Sequence, residues 1–354
     1  MIDTKKTGTP KYIALAEELR SQIEKGTLQP GDRLPTFAEM CARHDVTPTT
    51  VTNVYALLKQ EGLIICERGR GSFVAEPPPK TETGLIGVTN MASAIHPYSV
   101  ELMRGFQETA STYGRELLLI DETLPRDWER MDGVIAHGSD ANEILCRLPK
   151  GMPAVAVMTS TPNAVCVTAD DYAGISELME HLLSLGHRRI AALFDPLSPR
   201  RLSGYRAVLH EAGLAPDSRW ARFIHLNLDQ KQYYSQLGYE AMQQWLQEDW
   251  DELGCTAIVT QNDDTANGVI AALLESGKRV PENVSVTGFD GASSATYARP
   301  TLTTVRVPLQ EIGSSTVELL QKQIDGETVR PSTLTLPVTL VTGDSTAPVP
   351  SLIP

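Results

Sequence analysis

The chain is poor in the features that mark several common protein classes. Its five cysteines (Cys41, Cys66, Cys146, Cys166 and Cys255) are odd in number and scattered, with no Cys-x-x-Cys pair. That spacing gives no zinc framework and points to reduced thiols rather than disulfides. No apolar run approaches the ~20 residues of a membrane-spanning helix. The polar start MIDTKKTGTPK lacks the apolar segment of a secretory signal, so a cytoplasmic protein with no membrane contact is expected. Three enzyme motifs are also missing: the phosphate loop ending in lysine, the Gly-x-Ser-x-Gly elbow and the His-Glu-x-x-His zinc helix. Asp170-Asp171 and Asp263-Asp264 are adjacent carboxylates, but side chains of neighbouring residues usually diverge and make no acid–base pair. The expectation is therefore no enzyme, no cofactor and no metal.

Charge is unevenly spread. The net charge is −13 over 354 residues, a length that suits two or three domains. Residues 1–76 carry 10 Lys+Arg against 10 Asp+Glu, so the remainder accounts for the whole excess. A neutral head can bind DNA if its basic groups cluster, whereas an acidic body is repelled by phosphate.

The most informative stretch is Leu34 to Val74. Phe37, Met40 and Cys41 recur at helical spacing, and Asp45-Val46-Thr47 breaks the pattern. Thr47-Pro48 reads as an N-cap followed by proline at the first helical position. Val51, Val54, Tyr55 and Leu58 then give the second helix an inward face, leaving Thr49, Thr50, Thr52 and Asn53 outward. Gly62 stops it. Leu63–Ile65 and Ser72–Val74 predict two strands around Glu67-Arg68-Gly69-Arg70-Gly71, a basic, glycine-rich tip. Two helices across a tight turn followed by such a hairpin form a winged helix-turn-helix, whose second helix can enter a DNA major groove. Tyr12, Ile13, Ala16, Leu19 and Ile23 supply a preceding helix.

This stretch resembles the GntR family of bacterial regulators. The resemblance rests on Leu28-Gln29-Pro30-Gly31-Asp32-Arg33-Leu34-Pro35, on Thr47-Pro48-Thr49-Thr50-Val51 and on Gly69-Arg70-Gly71-Ser72-Phe73-Val74, and runs from about Lys11 to Val74. It implies DNA contacts at Arg33, Thr36, Thr47, Thr49, Thr50, Thr52, Asn53, Arg68, Arg70 and Gly71. The chain departs from the family in having Phe37-Ala38 where an acidic-basic pair is usual. It also lacks arginines often found at Pro48 and Thr52. Base readout then leans on Thr49, Thr52 and Asn53.

Residues 77–83 open with three prolines and read as an extended linker. From Gly84 the pattern changes to short apolar strands alternating with amphipathic helices. Strands are expected at 85–89, 116–120, 133–136, 154–158, 190–194, 223–226, 257–259 and 284–287. Helices are expected at 98–113, 142–148, 175–185, 202–212, 235–247 and 265–275. Such alternation implies an α/β fold with parallel sheets, here long enough for two lobes over residues 84–354, with ligands at the carboxyl ends of the strands.

Residues 84–342 are similar to the effector domain of the lactose-repressor (LacI) family, a periplasmic-binding-protein-like fold. The matching phrases include Asp171-Tyr172-Ala173-Gly174, Leu185-Gly186-His187-Arg188-Arg189, Arg201-Leu202-Ser203-Gly204-Tyr205-Arg206, Gln261-Asn262-Asp263 and Val284-Ser285-Val286-Thr287-Gly288-Phe289-Asp290. A GntR-like head on this body resembles the arabinose-repressor type of hybrid regulator. The resemblance implies effector contacts at Arg201, Asn262 and Asp290, an aromatic at Tyr233, and weaker contacts at Tyr98 and His96. Arg201 and Asp290 are read as effector contacts ahead of a plain salt bridge. Tyr233 is read equally well as packing, since Tyr234 adjoins it, and His187 as a structural contact at a helix end. Expected partners are a palindromic double-stranded DNA operator, a second copy of the chain, and a small-molecule effector. The effector is a sugar first, with a nucleoside or purine as the alternative.

Overall fold

The computed structural model describes residues 10–67, 69–75, 82–91, 97–120, 128–196, 198–224, 233–291 and 298–349. The chain divides into two compact units, residues 1–81 and 82–354. Most of the linker reading, with Arg68 and His96, lies outside the described residues.

In the first unit α1 spans Lys11–Glu24, α2 Phe37–His44 and α3 Pro48–Gln60, followed by strands β1 (Ile64–Glu67) and β2 (Gly71–Val74). Thr36 and Glu39 close a reciprocal capping box at the start of α2, and Asp45, at φ 50°, ends that helix in the left-handed conformation. Thr47 caps α3, and Pro48 occupies its first turn. The buried face of α3 is Val51, Val54, Tyr55 and Leu58. These pack with Leu15, Leu19, Leu34, Met40, Ile64 and Val74 into one small core. The wing pairs antiparallel from Ile64↔Val74 to Glu67↔Gly71. Residues 31–34 add a third edge to it through Gly31 N→Val74 O, Val74 N→Asp32 O and Leu34 N→Ser72 O.

The second unit contains two parallel sheets. The first has strand order β13-β7-β6-β5-β3-β4, the second β11-β10-β8-β9. In chain order these are β3 (Leu85–Thr89), β4 (Glu116–Ile120), β5 (Gly133–His137), β6 (Ala154–Val157), β7 (Val165–Ala169), β8 (Ile190–Phe194), β9 (Ala221–Phe223), β10 (Ala257–Thr260), β11 (Ser285–Thr287) and β13 (Ser332–Leu336). A separate antiparallel pair joins β12 (Thr304–Arg306) to β14 (Thr339–Val341). The helices are α4 (Pro97–Thr112), α5 (Ala141–Arg147), α6 (Asp171–Ser184), α7 (Pro199–Glu211), α8 (Tyr234–Glu248), α9 (Trp250–Leu253), α10 (Asp263–Glu275) and α11 (Leu309–Ile324). Among the described residues, no helix is long and apolar enough to cross a membrane.

The sequence reading omitted β7, α9, α11 and β12 to β14. The ninth strand is Ala221–Phe223 rather than 223–226, and residues 225–226 lie outside the described set. More consequentially, the chain does not finish one lobe before starting the next. After the second sheet it returns to the first, adding α11 and β13. Gly313 of α11 fits so closely that a Cβ there would stand 2.7 Å from Leu102 O on α4. Three passages join the lobes: Asp170, residues 306–309 and residues 337–341. Asp170 N donates to Leu336 O at 3.0 Å, so the first and last of them lie side by side.

One buried ion pair fixes the start of the second unit. Arg115 Nη1 donates to Asp132 at 2.6 Å, and its Nε donates to Gln321 Oε1 of α11 at 3.1 Å. Asp132 also accepts from Thr83 N at 3.0 Å and Gly84 N at 2.8 Å. Both charges are almost wholly out of water, where losing one partner strands the other. Arg115→Met should therefore destabilise the second unit by about 3 kcal/mol or more, read as a lowered midpoint in urea unfolding followed by near-ultraviolet circular dichroism.

Candidate functional site

The first unit presents α3 and the wing as one polar surface. Thr49, Thr52 and Asn53 are exposed and Thr50 is half-buried. Spacings of three and four residues put Thr49, Thr52 and Asn53 on one side of the helix. Most of the predicted hydroxyls have local work. Thr47 Oγ1 accepts from Thr50 N at 3.3 Å, and Thr36 Oγ1 accepts from Glu39 N at 3.3 Å. Thr52 Oγ1 donates back to Pro48 O at 2.9 Å, which leaves its lone pairs facing outward. Arg33 lies against the wing: a Cβ on Gly71, whose φ is 120°, would stand 3.1 Å from its Nε. Arg70, at the exposed tip, pairs with Glu67 at 2.7 Å.

The second unit brings polar side chains together where its strands end. His137 is the last residue of β5. Asp195 follows β8, Gln261 and Asn262 follow β10, and Phe289 and Asp290 follow β11. Parallel strands aim their carboxyl ends at one place, so residues remote in sequence converge.

Arg201 is the hub. It sits in the first turn of α7 and is 6% exposed. Its Nη1 donates to Gln261 O, and its Nη2 lies 3.3 Å from Asp171 Oδ1 and 3.7 Å from Asp290 Oδ1. Its guanidinium carbon stands 3.8 Å from the centroid of the Phe289 ring, a cation–π contact. Burial works against the charge, but Asp171 and Asp290 outweigh it, and the pKa of Arg201 is raised. Nε is buried with no hydrogen-bond partner among the described residues.

Asp290 is buried at φ 97°, a left-handed region that few non-glycine residues adopt. Burial pushes its carboxyl well above the usual range. Arg201 opposes that shift, while the charges of Asp263, Asp171 and Asp264 add to it.

Tyr98 comes from the other lobe, in the first turn of α4. Burial raises its phenol far above the ordinary value, and the charge of Asp290 adds to this. Its hydroxyl stands 3.3 Å from His137 Nε2, and Asn90 Nδ2 donates to His137 O at 3.3 Å. Asn262 caps α10, its Oδ1 accepting from Thr265 N at 2.9 Å and Thr265 Oγ1 at 2.8 Å. Among the described residues its Nδ2 is left for another partner.

The sequence reading and the structure differ over the aromatic. Tyr233 is 58% exposed. The ring brought to the cluster is Tyr234, whose hydroxyl donates to Asp195 Oδ2 at 3.1 Å. Asp171, His137, Gln261 and Asn90 were not foreseen as site residues. Asp170 and Asp171 do diverge, one capping α6 through Ala173 N and the other facing Arg201. His187 contacts Thr256 Oγ1 at 2.8 Å and Ala347 O at 3.1 Å beyond the end of α6. Among the described residues no group of His, Cys, Asp and Glu is arranged to hold a metal ion.

His137 gives this cluster a pH dependence. Burial lowers its pKa to about 4, with a hydrogen bond of the ring to the Asn90 backbone opposing. The unfolded chain holds a proton from about pH 6.5 downward, whereas the folded protein refuses it until about pH 4. The stability held with neutral His137 is full above the unfolded value and is lost as pH falls through this window. Between about pH 7 and about pH 5 the second unit should lose up to about 2 kcal/mol by this route. A His137→Gln variant, compared with the parent by urea unfolding at both pH values, should lose correspondingly less.

Two family models match the chain: "Bacterial regulatory proteins, gntR family" over residues 11–74 and "Periplasmic binding protein-like domain" over residues 179–346. The arabinose metabolism transcriptional repressor of Geobacillus stearothermophilus is 29% identical, over 90% of this chain and 93% of that protein. Catabolite control protein A of Priestia megaterium is 27% identical, over 83% of this chain and 89% of its own length. The crystal structure of a LacI family transcriptional regulator from Enterococcus faecium with bound ribose superimposes with a TM-score of 0.63 at 26% identity. That match covers 75% of this chain and 99% of the other.

Proposed function

We propose that this chain, which joins a GntR-type winged helix-turn-helix head to a periplasmic-binding-protein-like body, is a sugar-responsive transcriptional repressor acting as a homodimer on a palindromic operator. The head is residues 1–76, the linker 77–83 and the effector body 84–354. α3 enters the major groove with Thr49, Thr52 and Asn53 toward the bases, while Arg33, Thr50, Arg68 and Arg70 meet phosphate. Its place of action is the cytoplasm and it catalyses no reaction.

The observation that carries the effector reading is Arg201, a buried guanidinium with an unpaired Nε among the strand ends. A donor buried without a partner is costly unless a ligand supplies the acceptor. A sugar hydroxyl does so and offers its own proton to Asp290, while Asn262 Nδ2 adds a second donor. The arabinose repressor and the ribose-bound regulator among the similar proteins favour a monosaccharide.

Tyr98 and His137 belong to one lobe, Arg201, Asn262 and Asp290 to the other. A ligand that touches both favours whichever arrangement brings them together, and its differential affinity is the energy available to change operator binding. The three passages between the lobes are where that closure bends.

A thermal-shift comparison of L-arabinose, D-ribose and cellobiose with adenosine and hypoxanthine tests the class of effector, since a ligand specific for the native state raises its melting temperature. A shift with a nucleoside or purine alone would replace the sugar reading. Asp290→Asn should weaken the effective sugar by roughly tenfold to a hundredfold, about 1–3 kcal/mol, and leave operator affinity unchanged. Asparagine tolerates positive φ, so the fold should survive. Unaltered sugar affinity by calorimetry would remove Asp290 from the site.

A further inference from the structure

The cations of the head are not equally available. Arg20 pairs with Glu61 at 2.6 Å and Arg70 with Glu67 at 2.7 Å. Arg33 and Arg43 are exposed and carry no ion pair among the described residues. Both line one notch of about 270 Å³, together with Leu34, Pro35, Thr36 and Glu39.

The carboxylate in that notch is already committed. Glu39 accepts Thr36 N at 2.6 Å and Thr36 Oγ1 at 2.9 Å in the capping box. These bonds hold its pKa below the ordinary value, and the charges of Arg33 and Arg43 lower it further. Two guanidinium groups over one internally bonded carboxylate leave a net positive charge, the requirement for an anion site.

Both elements assigned to DNA contact above flank the notch. On one side Arg33 lies against Gly71, at the start of the second wing strand. On the other, Tyr55 of α3 donates its hydroxyl to Pro35 O, and the Phe37 ring packs edge-on against Tyr55 at 5.3 Å. A duplex seated on α3 and the wing carries its backbone past this point. α3 itself carries no arginine, and its one cation, Lys59, lies in the last turn, so phosphate contacts have to come from other positions.

We propose that Arg33 and Arg43 together form a clamp for a DNA phosphate, with Arg43 the contributor that the sequence pattern does not mark. The proposal rests on the DNA-binding reading above and adds a second guanidinium beside Arg33. Arginine suits the task, because its planar fork gives two parallel hydrogen bonds to phosphate oxygens.

The test uses the full chain and a short duplex of random sequence, since contacts to the backbone do not depend on the operator. Fluorescence anisotropy across sodium chloride concentrations gives the slope of log K against log salt. Arg43→Ala should weaken binding and reduce the magnitude of that slope by about 0.9 for each head engaged. Arg33→Ala with Arg43→Ala should reduce it by about twice as much. Arg43→Lys should retain the slope, and Arg20→Ala, whose partner is Glu61, should not alter it. Arg43 is exposed, so far-ultraviolet circular dichroism should be the same in all variants. A parental slope in Arg43→Ala overturns the clamp while leaving DNA binding intact. Failure of the parent chain to bind any duplex at low salt overturns the DNA-binding reading, and the clamp with it.

Discussion

A guanidinium leaves water at a cost of several kcal/mol and stays out only where its charge is matched and its donors are taken. Arg201 meets that condition, except at Nε, through three separate stretches of chain: Asp171 at the start of α6, Gln261 beyond β10, and Phe289-Asp290 beyond β11. None of these is near Arg201 in sequence. They meet because the second sheet is parallel and delivers the carboxyl ends of its strands to one edge. Asp290 reaches that edge only by taking a positive φ, a strain the surrounding contacts sustain. The cluster is thus assembled by contacts within the chain itself.

The two units solve different electrostatic problems. The second buries charge and pairs it, in the Arg201 cluster and again at Arg115–Asp132. The first keeps its charge in water and arranges it along a surface, where a polyanion can release counterions on binding. Thr36 and Thr47 show how closely structure and function are interleaved there. Both were expected at the DNA, and both serve first as helix caps, which sets the direction of the helices carrying the exposed threonines.

What could be read from the sequence followed from periodicity and punctuation. The cap, the proline and the buried face of α3 stood out because each is a local signal, as did the apolar strands β3, β5, β8 and β10. α11 was missed because its inward stripe mixes Gly313, Thr316 and Gln321 with Ile312, Val317 and Leu320, which dilutes the apolar pattern. β13 was missed because it is an edge strand, exposed over most of its length. The ring that reaches the cluster is one position on from the expected one: Tyr233 is the extended residue that precedes α8 and faces solvent, whereas Tyr234 opens the helix and donates to Asp195. His137 gave no signal at all, since a single histidine ending an apolar strand looks like any strand end.

The return of the chain to its first lobe bears on how a ribosome makes this protein. β3 to β7 emerge early, yet they lack α11, which covers part of their face, and β13, which completes the sheet beside β7. Leu320 of α11 packs so closely over Gly133 that a Cβ there would meet it at 2.8 Å, and Gln321 completes the bonding of buried Arg115. The second lobe, β8 to β11, is translated in the interval. The lobe begun first therefore stays incomplete while the second is translated, and a nascent chain halted between Asp290 and Leu309 exposes an apolar sheet face and an unpaired strand edge. Such surfaces are what chaperones bind and what drives aggregation of unfinished chains.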